Sequence, residues 1–186
     1  MAEMQAMTAL GARVAAVVTV GPLTISERMD VALASVAVRR GRLADLAAAA
    51  QVAGVPLPGV ASHVSGAPYS AFWVTPEMWF VEAPFATHEA IADLLKSALG
   101  DAASVTEQTD AWVAFDLAAP DLAPLLERLS NVDFQSAPPG HATRTVIDHL
   151  GCYLIKHGPG AARLYGPRSS AQSLLHAVEV AAASVW

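Results

Sequence analysis

Charge is scarce in this sequence. Asp, Glu, Lys and Arg make up 15% of the 186 residues, against about 25% in typical soluble domains. Lysine is scarcer still, with Lys96 and Lys156 standing against nine arginines. The formal net charge is −6 and no basic stripe occurs, which argues against a nucleic acid as the main partner. Cysteine is almost missing. Cys152 has no internal partner for a disulfide, which fits a reducing, cytoplasmic setting. No apolar run reaches the roughly 18 residues of a membrane-spanning helix, and the run 14–20 stops at Gly21-Pro22. The first residues hold Glu3 and no basic cluster, so they do not read as a signal peptide.

What remains is apolar. The mean hydropathy is +0.40, whereas a free monomer needs a charged, patch-free surface. The expectation is that a partner covers part of this surface. Arginine in place of lysine points the same way, because the weakly hydrated planar guanidinium suits interfaces. A GC-rich genome gives the same bias, and the two explanations are compatible. A chain of this length buries roughly 70% of its unfolded surface, so it needs no disulfide or structural metal to fold.

Along the chain, residues 1–30 show no clear periodicity, and Met1, Met4 and Met7 among alanines suggest a loose arm. Residues 32–39 read as a strand. Leu43, Leu46, Ala47 and Ala50 recur at helical spacing up to Gly54. The Pro/Gly-rich stretch 55–68 is a loop, and 69–75 and 77–81 read as strands. Thr87 is the expected N-cap of a helix carrying Ile91, Leu94 and Leu95, with Gly100 as its stop. Residues 104–108 close the set as a strand.

A second such set follows. Residues 111–117 alternate as a strand, and Asp121 caps a helix with Leu122, Leu125, Leu126 and Leu129 on one side. Residues 141–150 and 152–156 form a strand pair broken at Gly151, then 161–165 a further strand. Ser169 or Ser170 caps a final helix bearing Leu174, Val178, Ala181 and Val185. The reading is an α+β fold of two ferredoxin-like βαββαβ units, 31–108 and 109–186, after an N-terminal arm, 1–30.

Signals of catalysis are weak. Gly158-Pro159-Gly160 starts like a dinucleotide loop, but Arg163 stands where a glycine belongs. The six histidines make no metal-ligand spacing, and His149 with Cys152 are two groups only. Ser169-Ser170 is a capping pattern and no G-x-S-x-G elbow exists. No catalytic, cofactor-binding or metal-binding residue is assigned.

Two segments do not read as ordinary core. In 141–150, Arg144, Val146 and Asp148 share one face. Arg144 and Asp148 would stand roughly 13 Å apart along a strand, too far to pair with each other. They need water or other partners, including another subunit. At Pro167-Arg168-Ser169-Ser170 a helix start and an arginine suit a carboxylate. That carboxylate is a partner's, a small anion's, or an internal one such as Asp148 or Glu179. Trp112 is either an anchor for a partner or packing between the halves. Trp112, Arg144, Asp148 and Arg168 are the interface candidates.

These segments also carry a resemblance. Ala142-Thr143-Arg144-Thr145-Val146-Ile147-Asp148-His149-Leu150-Gly151 resembles a stretch of the gamma subunit of heterotetrameric sarcosine oxidase. Gly166-Pro167-Arg168-Ser169-Ser170-Ala171-Gln172-Ser173-Leu174-Leu175-His176-Ala177 resembles the start of that family's C-terminal helix. Residues 104–112, Ser-Val-Thr-Glu-Gln-Thr-Asp-Ala-Trp, and Leu125–Phe134 are similar to two further stretches. The second half is more distantly similar to the first domain of the glycine-cleavage aminomethyltransferase fold.

The resemblance implies a subunit of an enzyme that oxidises sarcosine with oxygen and water. The products are glycine, hydrogen peroxide and formaldehyde, or methylene-tetrahydrofolate when tetrahydrofolate takes the one-carbon unit. It implies FAD, FMN, NAD and zinc on the alpha, beta and delta partner subunits and none on this chain. Two alternatives stand beside it. One is a folate-binding aminomethyltransferase, for which the chain is short and shows no acid placed to hold folate. The other is a self-associating binding module.

Overall fold

The structure, a computed structural model, describes residues 6–186. Met1 and Met4, read as part of a loose arm, lie outside the described residues. In chain order the elements are β1 (Val17–Val20), β2 (Leu23–Arg28), β3 (Val31–Val38), α1 (Leu43–Ala53), β4 (His63–Val64), β5 (Ser70–Thr75), β6 (Met78–Pro84), α2 (Phe85–His88), α3 (Ile91–Leu99), β7 (Ala103–Glu107), β8 (Trp112–Ala118), α4 (Ala123–Leu129), β9 (Ala142–Ile147), β10 (Leu150–Gly158), β11 (Ala161–Pro167) and α5 (Ala171–Val185). They build a mixed α and β fold with two antiparallel sheets, ordered β4-β5-β6-β3-β7 and β1-β2-β8-β11-β10-β9. Two compact units divide the chain: residues 30–110 with 140–143, and the N-terminal residues to Met29 with 111–139 and 144–186.

The first unit is contiguous but for four residues. On β3, Ala32, Ala34 and Val36 point to one face and pack with Leu46 and Ala50 of α1 and Ile91, Leu95 and Leu99 of α3. Each large side chain buried there contributes about 1.5–3 kcal/mol. The Trp79 indole N–H donates to the Pro58 carbonyl at 2.7 Å, which ties the long loop to β6. Within that loop the two residues of β4 pair with β5. The Gly100 N–H donates to the Lys96 carbonyl and ends α3. Thr87 is not the cap of that helix. It lies inside α2, its hydroxyl donating to the Pro84 carbonyl, and α3 begins only after Ala90.

The second unit is composite. Leu23, Ile25, Val113, Phe115, Leu117, Leu154 and Leu164 form the inner face of its sheet, under Leu125 and Leu126 of α4 and Leu174, Val178 and Ala182 of α5. Asp121 accepts from the Ala123 N–H at 3.0 Å just ahead of α4, whose N-cap position is Leu122 and not Asp121 as expected. Ser170 precedes α5 without a side-chain cap. At Gly166 a Cβ would stand 2.3 Å from Cδ2 of Leu174, so the bare backbone of β11 lets α5 sit close.

The reading of 1–30 as a loose arm is corrected here. Residues 17–28 form β1 and β2, and β2 pairs with β8 from Thr24↔Ala118 to Arg28↔Ala114. In the contiguous unit β7, which follows α3, flanks β3. In the composite unit β2 flanks β8 in the same way, and it comes from the other end of the sequence. The inward residues Leu23 and Ile25 are 0% and 1% exposed, and that burial holds the segment. The Glu27 carboxylate, 4% exposed, accepts from the N–H groups of Leu10 at 3.2 Å and Ala16 at 3.0 Å, fixing the approach to β1.

Candidate functional site

The four sequence candidates fall in the composite unit. Arg144 and Val146 are exposed on β9, an edge strand of the six-stranded sheet, while Thr145 and Ile147 point inward. Asp148 is not on that strand. Asp148 and His149 form a two-residue turn from β9 to β10, with φ of 47° and 67°. Positive φ at both positions matches the right-handed twist of a hairpin. The strand therefore breaks here and not at Gly151, which lies inside β10.

Trp112 opens β8 opposite Pro167 of β11. Its ring lies 5.2 Å from that of Tyr153, tilted by 58°. Burial raises the Tyr153 pKa and the nearby Arg144 charge partly offsets this. A Cβ at Gly151 would lie 3.5 Å from the Arg144 guanidinium, ordinary contact, so that side chain passes over the start of β10. The structure thus brings Arg144 and Trp112 to Tyr153. Arg168 stands one residue beyond Pro167, its N–H donating to the Ala111 carbonyl at 3.0 Å. Its guanidinium donates to the Met7 carbonyl at 2.8 Å, so in this chain it clasps the N-terminal segment.

Asp148 lies apart from these three. It lines a cleft of about 500 Å³ with Arg128, Leu129, His176, Val180 and Ser184, on the helix side of the unit.

Three polar arrangements escaped the sequence reading. Asp116 bridges Arg28 of β2 and Arg163 of β11, the latter at 2.7 Å. Burial raises its carboxyl pKa, but the Arg163 and Arg28 guanidiniums outweigh it and hold the pKa below the ordinary value. His63 Nε2 and Glu82 meet at 3.3 Å with side chains 5% and 6% exposed, on the sheet face away from the helices. The Lys156 ammonium donates to the Phe134 carbonyl at 2.6 Å and lies 4.6 Å from that ring, pinning the loop after α4. Alternation puts His63 and Glu82 on strands, but their meeting across the intervening β5 is a matter of register.

Cys152 is buried, and burial pushes its thiol up to about 11. At neutral pH it is the protonated thiol, a poor nucleophile. No group of three or more His, Cys, Asp or Glu is placed to hold a metal among the described residues. No helix of the described residues is long and apolar enough to cross a membrane.

The motif residues quoted from the sequence have visible structural work. Thr109 belongs to the contiguous unit, and its hydroxyl accepts from the Leu33 N–H and donates to the Leu33 carbonyl. Residues 142–151 make the β9–β10 hairpin, and 166–177 carry β11 through a short turn into α5.

No family model matches the sequence, and no curated protein matches it. The fold is nonetheless shared with proteins of known structure. One is a chain of the heterotetrameric sarcosine oxidase from Corynebacterium sp. U-96, solved in complex with pyrrole 2-carboxylate. It aligns over 91% of this chain and 88% of its own length, with a TM-score of 0.76 and 22% identity. A second is the glycine cleavage system aminomethyltransferase T from Bartonella henselae, aligning over 82% of this chain at a TM-score of 0.58 and 14% identity. This chain spans 44% of that protein. The family resemblance read from the motifs and the likeness in fold therefore point to the same two groups.

Proposed function

We propose that the chain is the gamma subunit of a heterotetrameric sarcosine oxidase, a partner that supports assembly and does no redox chemistry itself. The observation that carries this is the alignment along nearly the whole of both chains with a component of such an enzyme. The motif resemblance and the low charge content support it independently. The strand order supports the ferredoxin-like reading of each unit. The four strands β5-β6-β3-β7 follow the βαββαβ order, and β2-β8-β11-β10 repeat it with β2 in the last place.

On this reading the assembly is cytoplasmic and takes sarcosine to glycine with peroxide and formaldehyde, or methylene-tetrahydrofolate. FAD, FMN, NAD, zinc and tetrahydrofolate belong to the alpha, beta and delta subunits. Arg144, exposed on the edge strand β9, and Trp112, half-buried on β8 against Tyr153, remain interface anchors. Asp148 is a separate one at the hairpin tip. Arg168 acts indirectly, by holding the N-terminal segment. A second reading, a folate-binding aminomethyltransferase-like protein, draws on the other fold likeness, but this chain spans less than half of that enzyme.

Co-expression with the flavin-carrying subunits tests the proposal. The expected result is a stoichiometric yellow complex that makes peroxide from sarcosine. A stable lone monomer that ignores those subunits and binds tetrahydrofolate would favour the second reading.

A further inference from the structure

The two sheets end differently beside equivalent strands. In the order β1-β2-β8-β11-β10-β9, strand β2 is covered on its outer side by β1, from Val17↔Ser26 to Val20↔Leu23. In the order β4-β5-β6-β3-β7, the strand in the same place is β7, and no strand of the described residues pairs with its outer side.

Which groups are open on that side follows from the ladder to β3. The Gln108 N–H donates to the Leu33 carbonyl at 2.9 Å, and the Arg39 N–H donates to the Ala102 carbonyl at 3.0 Å. Between these rungs Ser104 and Thr106 turn their backbone groups to β3. Ala103, Val105 and Glu107 therefore turn theirs outward. The register runs from Ala103 to Glu107 without a bulge. Bulges, prolines and lysines guard an edge against pairing, and β7 has none of them; its one charge is Glu107.

The side chains supply a second observation. Ala103 and Val105 pack on the helix side of the sheet with α3, and alternation puts Glu107 on that side too. Ala103, Ser104 and Val105 line a cleft of about 420 Å³ with Arg39, Lys96 and Asp101. Arg39 pairs with Asp101 at 3.0 Å, while Lys96 meets the exposed Asp93 of its own helix at 3.5 Å. The cleft thus has two cations to one acid in its lining, which suits one further carboxylate.

We infer that β7 pairs antiparallel with β7 of a second copy, about a two-fold axis at Val105. Val105 then faces its own copy, and Ala103 faces the other copy's Glu107 on both sides of the axis. An axis at Val105 is the one that uses all three outward residues. Side chains directly opposite each other lie on the same face of a sheet. Each Glu107 carboxylate therefore arrives beside the other copy's Ala103, at the cleft that holds Lys96. The two glutamates stay apart. A second copy is the occupant because this one strand brings both halves of the match, the acid and the cleft for it. The inference uses only this chain's own edge and stands apart from the subunit reading.

Sedimentation of the full chain from about 1 µM to about 1 mM tests it. The expected result is a monomer–dimer equilibrium in which the Val105 and Glu107 amides exchange more slowly in the dimer. Glu107→Lys and Lys96→Glu, both at exposed positions, each set like charges together twice per dimer. Each is expected to weaken dimerisation about tenfold. The double variant exchanges the charges and is expected to restore it, which damage to folding would not do. Glu127→Lys, exposed on α4, makes the same charge change elsewhere and leaves dimerisation as it was. A monomer at every concentration would overturn the inference and leave the subunit reading intact. So would an oligomer in which the Val105 amide gains no protection or the charge exchange restores nothing, because another face would then be the contact.

Discussion

The two units share a strand order but are closed differently. In the contiguous unit the last strand, β7, follows α3 after only a short turn. In the composite unit the same place is filled by β2, which reaches β8 across about 90 residues of sequence. Closing so long a loop costs entropy before any contact rewards it. The composite unit compensates with specific ties: the Glu27 carboxylate, the Arg28–Asp116–Arg163 bridge and the Arg168 clasp. The lesson is that order in a sheet does not reveal where in the sequence a strand originates.

The sharpest way to break this equivalence is to remove residues 1–28. Burial of Leu23 and Ile25 alone is worth roughly 3–6 kcal/mol, and β8 would become an open edge. The expected outcome is loss of amide-exchange protection throughout the composite sheet. Full protection of β8 in the truncated chain would show that β2 is dispensable. A smaller effect is expected at Glu27. Glu27→Ala leaves the part-buried Ala16 N–H without its acceptor and the Leu10 N–H with the Thr8 hydroxyl alone, at about 1–3 kcal/mol. A lower melting temperature reports it. Smaller again is Arg168→Ala, which removes one exposed hydrogen bond worth about 0.5–1.5 kcal/mol. If this change instead spares melting but blocks assembly with the other subunits, Arg168 is a direct anchor.

Most of the regular elements were legible in the sequence because they rest on local signals. The helical spacing of Leu43, Leu46 and Ala50 and the stops at Gly54 and Gly100 needed no distant partner. The N-terminal strands did. Leu23, Ile25 and Glu27 alternate on one face, but a charge at the third inward position hides the pattern. The N–H donors that satisfy it lie outside the strand. The hairpin turn was misplaced at Gly151 because glycine is the usual marker, whereas Asp148 and His149 take positive φ here. Of the candidate site, Arg144, Val146 and Asp148 were read on one face; Arg144 and Val146 do share an exposed face of β9, while Asp148 leaves it for the turn. The bond from Arg168 to Met7, 161 residues apart, had no local sign.

The finest distinction between the units is their response to acid. Asp116 ties β2 to β8 and β8 to β11. The corresponding row in the contiguous unit, Thr106, Ser35 and Phe80, carries no charge. Although burial raises the Asp116 pKa, the Arg163 and Arg28 guanidiniums lower it further, so the folded value lies below the unfolded one. A lowered carboxylate contributes stability that is present above the unfolded pKa of about 3.9. That contribution is lost as pH falls through the folded value. Because Asp116 is 30% exposed, solvent screens the pair and the effect is modest. Thermal unfolding followed from pH 6 downward should show the loss below about pH 4. Asp116→Asn should lower stability at neutral pH and flatten that part of the profile. An unchanged acid profile in the variant would move the sensitivity to another carboxylate and leave β2 held by burial alone.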